Sequence, residues 1–73
     1  MKKNTAAIRK VFARNLRRLM VEKGFDKQWA LAAAAGVRQS MISEYLRANK
    51  TPTLDSIVRI ADALDVPASE LLK

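Results

Sequence analysis

Apolar residues recur at three- and four-residue steps along most of this chain, which is the spacing of amphipathic α-helices. No segment alternates apolar and polar residues as a half-buried strand does. Glycine or proline separates the periodic segments. The pattern therefore predicts an all-α fold with five helices, over residues 5–23, 27–35, 38–47, 54–65 and 68–72.

The predicted helices share one core, which their apolar faces supply. The expected core residues are Ile8, Val11, Phe12, Leu16, Leu19 and Met20 in the first helix, Ile42, Tyr45 and Leu46 in the third, and Leu54, Ile57, Val58, Ala61 and Leu64 in the fourth. Tyr45 is expected at the edge of this core, with its hydroxyl reaching solvent. Thr53 is the expected N-cap of the fourth helix.

The third helix also carries a continuous polar face. Its members are Gln39, Ser40, Ser43, Glu44 and Arg47. Because side chains three and four positions apart share one side of a helix, these residues lie together, away from the apolar side. An ordinary solvated surface and a surface that binds a partner both fit this pattern.

The composition excludes several kinds of site. The 73 residues predict a single domain, 1–73, and they include no cysteine and no histidine. Disulfides and the common zinc sites are therefore excluded, and no metal or cofactor is expected. The seven acidic residues form no paired site and no glycine-rich phosphate loop occurs, so no enzymatic activity is expected. With no long apolar run, the chain is expected to be cytoplasmic and to lack a membrane span.

The charge is strongly positive and unevenly distributed. The net charge is +7; residues 1–50 hold 12 Lys and Arg against 3 acidic residues, and residues 51–73 hold 2 against 4. Such a distribution favours a nucleic-acid partner, although an anionic membrane or a solvated basic face would also fit. Lys10, Arg14, Arg17 and Arg18 form a basic stripe on the first helix, which either follows a nucleic-acid backbone or is merely solvated. A membrane role is disfavoured, since the opposite side of that helix is needed for the core.

An ordered set of short motifs runs through most of the chain. It comprises Gln28, Leu31-Ala32, Gly36-Val37, Ile42-Ser43, Pro52, Ala61 with Leu64 and Val66, and Glu70-Leu71-Leu72. Together these motifs, over about residues 12–72, resemble the Cro/repressor (XRE-like) family of helix-turn-helix regulators. The resemblance implies the compact five-helix fold of lambda-type repressors, with residues 38–47 as the recognition helix in the major groove of DNA.

The resemblance also implies roles for individual residues. Base contacts are expected from Arg38, Gln39, Ser40, Ser43 and Glu44. Phosphate contacts are expected from Gln28, Lys27, Arg47, Asn49, Lys50 and Thr51. A glutamine pairs well with adenine, and phosphate contacts set the register of the protein on the duplex. For each residue the alternative is an ordinary exposed side chain.

The chain departs from the family at four positions with structural consequences. An interior Arg–Glu pair is replaced by Met20 and Leu46, which we expect to contact each other because a joint apolar replacement is tolerated. The glycines after the third and fourth helices are replaced by Ala48 and Asp65. Of the two, Asp65 tolerates a left-handed turn better, so the loop 49–51 is expected to deviate.

Two further residues are unusual for the family. Arg38 stands where a Ser or Thr usually caps the recognition helix, and an arginine cannot act as that cap. Trp29 stands at a position that is usually polar, in a corner one residue longer than in the family. It packs on Phe25, or else it lies against the DNA backbone or a partner.

The leading functional hypothesis is a transcriptional repressor that binds a palindromic duplex operator as a homodimer. Val66, Leu71 and Leu72 are candidates for the dimer contact. The alternative is an antitoxin that binds DNA and also a toxin partner. Residues 1–5 are expected to be a disordered arm, in which Lys2 and Lys3 are candidates for contacts in the minor groove.

Overall fold

The computed structural model of the protein describes the backbone of residues 2–73 and the side chains from Thr5 onward. Four α-helices follow one another: α1 (Lys2–Glu22), α2 (Gln28–Ala35), α3 (Gln39–Leu46) and α4 (Leu54–Leu64). No strand occurs in this part of the chain. The prediction of an all-α fold is confirmed. The backbone of residues 2–5, which was expected to be part of a disordered arm, instead belongs to α1. The side chains of Lys2 and Lys3, the candidate minor-groove contacts, lie outside the described residues, as does Met1.

The predicted fifth helix is a single turn of 3₁₀ helix, Ala68–Leu71, rather than an α-helix. Its backbone amides bond three residues back: the amide of Glu70 donates to the carbonyl of Pro67 over 3.0 Å, and that of Leu72 to Ser69 over 3.1 Å. Pro67 lacks an amide hydrogen, and the segment is too short for a second turn, so the tighter bonding pattern prevails.

The core lies where α1, α2, α3, α4 and the 3₁₀ turn meet. Its largest fully buried side chains are Phe12, Leu16, Leu19, Leu31, Ile42, Tyr45, Ile60, Leu64 and Leu71. Tyr45 is only 1% exposed, so it lies inside the core and not at its edge as predicted. Its ring meets that of Phe12 edge to face, with centroids 5.2 Å apart and an interplanar angle of 81°. This arrangement holds α3 against α1.

The buried side of α4 agrees with the prediction at Ile57, Ala61 and Leu64 but differs at three other positions. Leu54 is 76% exposed and Val58 is 46% exposed, whereas Ile60, which the prediction omitted, is fully buried. The predicted and the observed buried residues of α4 both have helical spacing. Helix α2 and the 3₁₀ turn cover the side of α4 that carries Ile60. In α1, Ile8 is likewise exposed, although it was predicted to be in the core.

All four α-helices end in the same way, with one residue in the left-handed conformation. Those residues are Gly24, Gly36, Ala48 and Asp65, with φ of 80°, 71°, 58° and 58°. In each case the next amide donates to a carbonyl five residues back, as Asn49 does to Glu44 over 3.0 Å. This is the Schellman arrangement, which satisfies carbonyls that the helix leaves unpaired. The left-handed turn thus persists at Ala48 and Asp65 without glycine.

A buried polar residue ties α1 to the C-terminal turn. Asn15 is almost fully buried, and its side-chain amide donates to the carbonyl of Leu71 over 3.0 Å. Among the described residues, no buried side-chain nitrogen or oxygen lacks a hydrogen-bond partner. None of the helices described here combines the length and the apolar character that a membrane crossing requires.

Candidate nucleic-acid interface

The polar face of α3 points outward because its apolar face is anchored in the core. Ile42 and Tyr45 are buried against α1 and α2, and Leu46 packs at the edge of the same cluster. On the opposite side Gln39, Ser40 and Arg47 are exposed, while Ser43 and Glu44 are half-buried. The five residues predicted to form one polar face do share it.

The first turn of α3 is the most accessible part of this face. Arg38 precedes the helix in an extended conformation, with φ −75° and ψ 145°, and its side chain makes no capping hydrogen bond. Arg38, Gln39 and Ser40 are all exposed, and their side chains make no hydrogen bond to any described residue. Their donors and acceptors are therefore available to a ligand.

The second half of α3 is engaged within the protein. The hydroxyl of Ser43 donates to the side-chain oxygen of Gln28 at the start of α2. Arg47 and Glu44 form an ion pair of 3.5 Å along the helix. Arg17 of α1 donates to the carbonyl of Leu46 over 3.1 Å and so satisfies one carbonyl at the end of α3.

The residues predicted to contact phosphate fall into two groups. Lys27 and Gln28 lie at the amino end of α2, where the helix N–H groups favour an anion. Arg47, Asn49, Lys50 and Thr51 follow α3 on an exposed segment. The Thr51 hydroxyl accepts a hydrogen bond from Arg9 over 3.3 Å, which links this segment to α1. Sequence reasoning missed Arg9, because only the fold brings it near residue 51.

Three members of the basic stripe on α1 have partners in the protein. Arg14 donates to the carbonyl of Lys73 over 3.4 Å, and Arg17 bonds Leu46 as described above. Arg18 pairs with Glu22 at 3.3 Å and with Glu70 at 3.7 Å. The basic stripe therefore joins α1 to the carboxyl end of α3 and to the C-terminal residues of the chain. The sequence had suggested only a nucleic-acid contact or a solvated surface for it.

The corner between α1 and α2 does not bury Trp29, which is 61% exposed. Phe25 instead packs against the core. Trp29 is therefore not enclosed by this corner, and packing on Phe25 and contact with the DNA backbone or a partner both stay predictions for it. Met20 and Leu46 line one open groove of about 480 Å³ and belong to the same apolar cluster, between α1 and α3. Their direct contact, and the replacement of a family ion pair by these two residues, stay predictions.

Comparisons with known proteins agree with this geometry. The sequence model of a family described as helix-turn-helix matches residues 16–71. A search of curated protein sequences found no match.

The solved structures that are similar to the chain include two with named proteins. One is the restriction-modification controller protein C.AhdI from Aeromonas hydrophila, with 33% identity and a TM-score of 0.78, over 84% of this chain and 91% of that chain. The other is a hypothetical transcription factor, NHTF, from Neisseria, with 35% identity and a TM-score of 0.84, over 90% of this chain and 75% of that chain.

Proposed function

This chain belongs to the helix-turn-helix family of DNA-binding transcriptional regulators, and we propose that it acts as a repressor that binds a palindromic operator as a homodimer. The observation that carries the proposal is the exposed first turn of α3, whose polar side chains have no partner among the described residues. A helix held by its apolar side, with unengaged polar groups at its amino end, suits reading of the major groove.

Four side chains at or near the amino end of α3 have a matching chemistry on DNA. Gln39 donates and accepts in the pattern that adenine presents, and Arg38 suits guanine or a nearby phosphate. Ser40 can bond any base edge, and Glu44 can accept from the amino group of cytosine. We propose these four as the base-reading set. Ser43, the fifth residue predicted to read bases, is left out of this set because its hydroxyl already bonds Gln28.

We propose that phosphates are held on both sides of the reading helix. Gln28 and Lys27 act at the start of α2, and Arg47 with the segment 49–51 acts after α3. The excess of basic residues in 1–50 supports this placement, because the long-range field of a polyanion orients the basic part of the protein toward it.

We propose that the dimer contact lies in the acidic part of the chain. Two protomers of net positive charge repel each other least if they meet through residues 51–73, the segment with more acidic than basic residues. This segment also exposes the apolar side chains of Leu54, Val58 and Leu72. Val66 is half-buried and stays a candidate. Leu71 does not, because it is fully buried in the core of its own protomer. A twofold contact here would present two α3 helices to two half-sites.

Selection from random duplex DNA tests the proposal, followed by affinity measurement across a salt series. The selected sites should be palindromic, and log affinity should fall linearly with log salt, by about 0.9 for each phosphate neutralised. A flat salt response would contradict DNA binding. Sites with no half-site symmetry, bound by a monomer, would contradict the dimer.

The second hypothesis, an antitoxin, stays a prediction. No feature of the described surface favours a toxin over other partners. A stoichiometric second protein that co-purifies from the native host would favour this hypothesis, whereas a homodimer with full operator affinity would count against it.

A further inference from the structure

We propose that Ser43 is a positioning residue: its hydroxyl holds the Gln28 side chain so that the amide N–H groups of Gln28 face a DNA phosphate. This differs from the base contact that the family resemblance implies for Ser43. The inference rests on the proposed function, because it takes Gln28 as a phosphate contact.

The hydrogen bond between these residues joins two helices. Ser43 lies in the middle of α3 and Gln28 is the first residue of α2, 15 positions earlier in the chain. Among the described residues it is the only side-chain hydrogen bond from α2 to α3. It therefore links the helix that reads bases to the helix end that meets the backbone of the DNA.

The direction of the bond decides which atoms of Gln28 remain available. A serine hydroxyl has one hydrogen to donate, and Ser43 gives it to the carbonyl oxygen of the Gln28 amide. The two N–H donors of that amide are left for another partner. A phosphate oxygen only accepts, so this orientation of the amide suits a phosphate and the reverse orientation does not.

The burial of the two residues agrees with this role. Ser43 and Gln28 are both half-buried and line the groove beside Arg17 and Leu46, whereas Gln39 and Ser40 are exposed. Ser43 thus lies toward α2 and away from the accessible first turn of α3. To contact a base through its hydrogen, it would first have to release Gln28.

Holding a glutamine also lowers the entropy that binding costs. A glutamine side chain has several rotatable bonds and loses much of this freedom when it is fixed. With the Ser43 bond in place, part of that loss occurs on folding, so less remains to be lost when DNA binds. Removal of the hydroxyl should therefore weaken the phosphate contact without removing it.

The test measures the affinity of the full chain for two duplexes, the selected operator and a scrambled sequence of the same length. Ser43→Ala should lower affinity about 2- to 10-fold, the range of one ordinary hydrogen bond, and by the same factor on both duplexes. In a Gln28→Ala background, Ser43→Ala should have no further effect, because the residue it acts through is gone. Ser43→Thr, which keeps a hydroxyl, should restore most of the affinity.

Two further variants sharpen the test. Gln28→Glu keeps an acceptor for Ser43 but has no N–H donors, so it should bind DNA at least as weakly as Gln28→Ala. Ser40→Ala removes an exposed serine one turn earlier, and its effect should depend on the base sequence and should persist in the Gln28→Ala background. Thermal unfolding of each variant shows whether a loss of affinity reflects a loss of folded protein.

Three results would overturn the inference. If Ser43→Ala changes the preference among base sequences, or weakens binding equally with and without Gln28, Ser43 reads bases directly. If Gln28→Ala weakens binding and Ser43→Ala does not, Gln28 contacts a phosphate without being positioned by the Ser43 hydroxyl. If Gln28→Ala leaves affinity unchanged, the phosphate contact fails and the role of Ser43 fails with it.

Discussion

The two ends of α3 have similar polar residues but differ in what those residues contact. At the amino end Arg38, Gln39 and Ser40 are exposed and make no side-chain hydrogen bond to the described residues. Toward the carboxyl end, Ser43 bonds Gln28 and Glu44 pairs with Arg47. One polar face is therefore divided into a part whose side chains have no partner among the described residues and a part whose side chains already have one, so that a DNA contact from Glu44 or Arg47 has to compete with their ion pair.

The two ends also share a property. At each end the backbone has the regular conformation of a helix terminus. The residue found there, however, is not of a type that usually stabilises that conformation. Arg38 has the extended conformation of an N-cap, but its side chain offers no acceptor for a helix amide. Ala48 has the left-handed conformation at φ 58°, where its Cβ is unfavourable. In contrast, Thr53 caps α4 by accepting from the amide of Ser56 over 3.1 Å.

The largest expected effect is that of Gln39→Ala on base discrimination. If the amino end of α3 reads bases, the substitution should cost about 1–3 kcal/mol of preference at one position of the operator. Its effect on the free energy of unfolding should be below about 0.5 kcal/mol, since the residue is exposed and unbonded. Binding to a panel of single-base operator variants, with a denaturant titration, measures both quantities. An equal loss on every operator variant would remove the distinction between the two ends.

The second-largest expected effect is on the free energy of unfolding and concerns the N-cap of α3. Arg38→Ser should raise the free energy of unfolding by about 1 kcal/mol, because a hydroxyl there can accept from the amide of Met41. Thr53→Ala is the matched control in α4 and should lower the same quantity by about 1 kcal/mol. Urea unfolding of both variants tests the pair. If Arg38→Ser left stability unchanged while Thr53→Ala reduced it, the missing cap at α3 would not be a source of instability.

The smallest effect is at the carboxyl end. Ala48→Gly should raise the free energy of unfolding by roughly 0.5–1 kcal/mol, since glycine adopts the left-handed conformation without a Cβ clash. Ala33→Gly, at an exposed position inside α2, should lower it by roughly 0.5–1 kcal/mol. Thermal or urea unfolding compares the two. The Ala→Gly substitution is thus expected to change the free energy of unfolding in opposite directions at the two positions. A decrease at both would show that the left-handed conformation of Ala48 costs little.

Much of the fold could be predicted because local physics determines it. Periodic apolar spacing predicted all four α-helices, and α2 and α4 begin and end within one residue of the predicted bounds. Gly36-Val37 predicted the turn between α2 and α3, which the structure confirms with a left-handed Gly36. The family resemblance rested on an ordered set of motifs, and the match to a helix-turn-helix family over residues 16–71 confirms it.

The errors arose where packing chose among similar alternatives. In α4, Leu54 and Val58 have the same spacing as the buried residues, and only the position of α2 and the C-terminal turn decided that Ile60 is covered instead. For Trp29 the sequence left packing on Phe25 and contact with DNA or a partner open, and in the fold most of its side chain is exposed.

The sequence by itself determined which residues of α3 face the core and which face outward, because a helix of known phase leaves only one arrangement. The tertiary structure decided what the outward residues do. Gln28 and Ser43 are 15 positions apart, and Arg17 and Leu46 are 29 apart, so their contacts depend on how the helices pack. Periodicity carries no information about those distances. For that reason the sequence predicted one polar face on α3, and the packing of α1 and α2 against it divided that face into two parts.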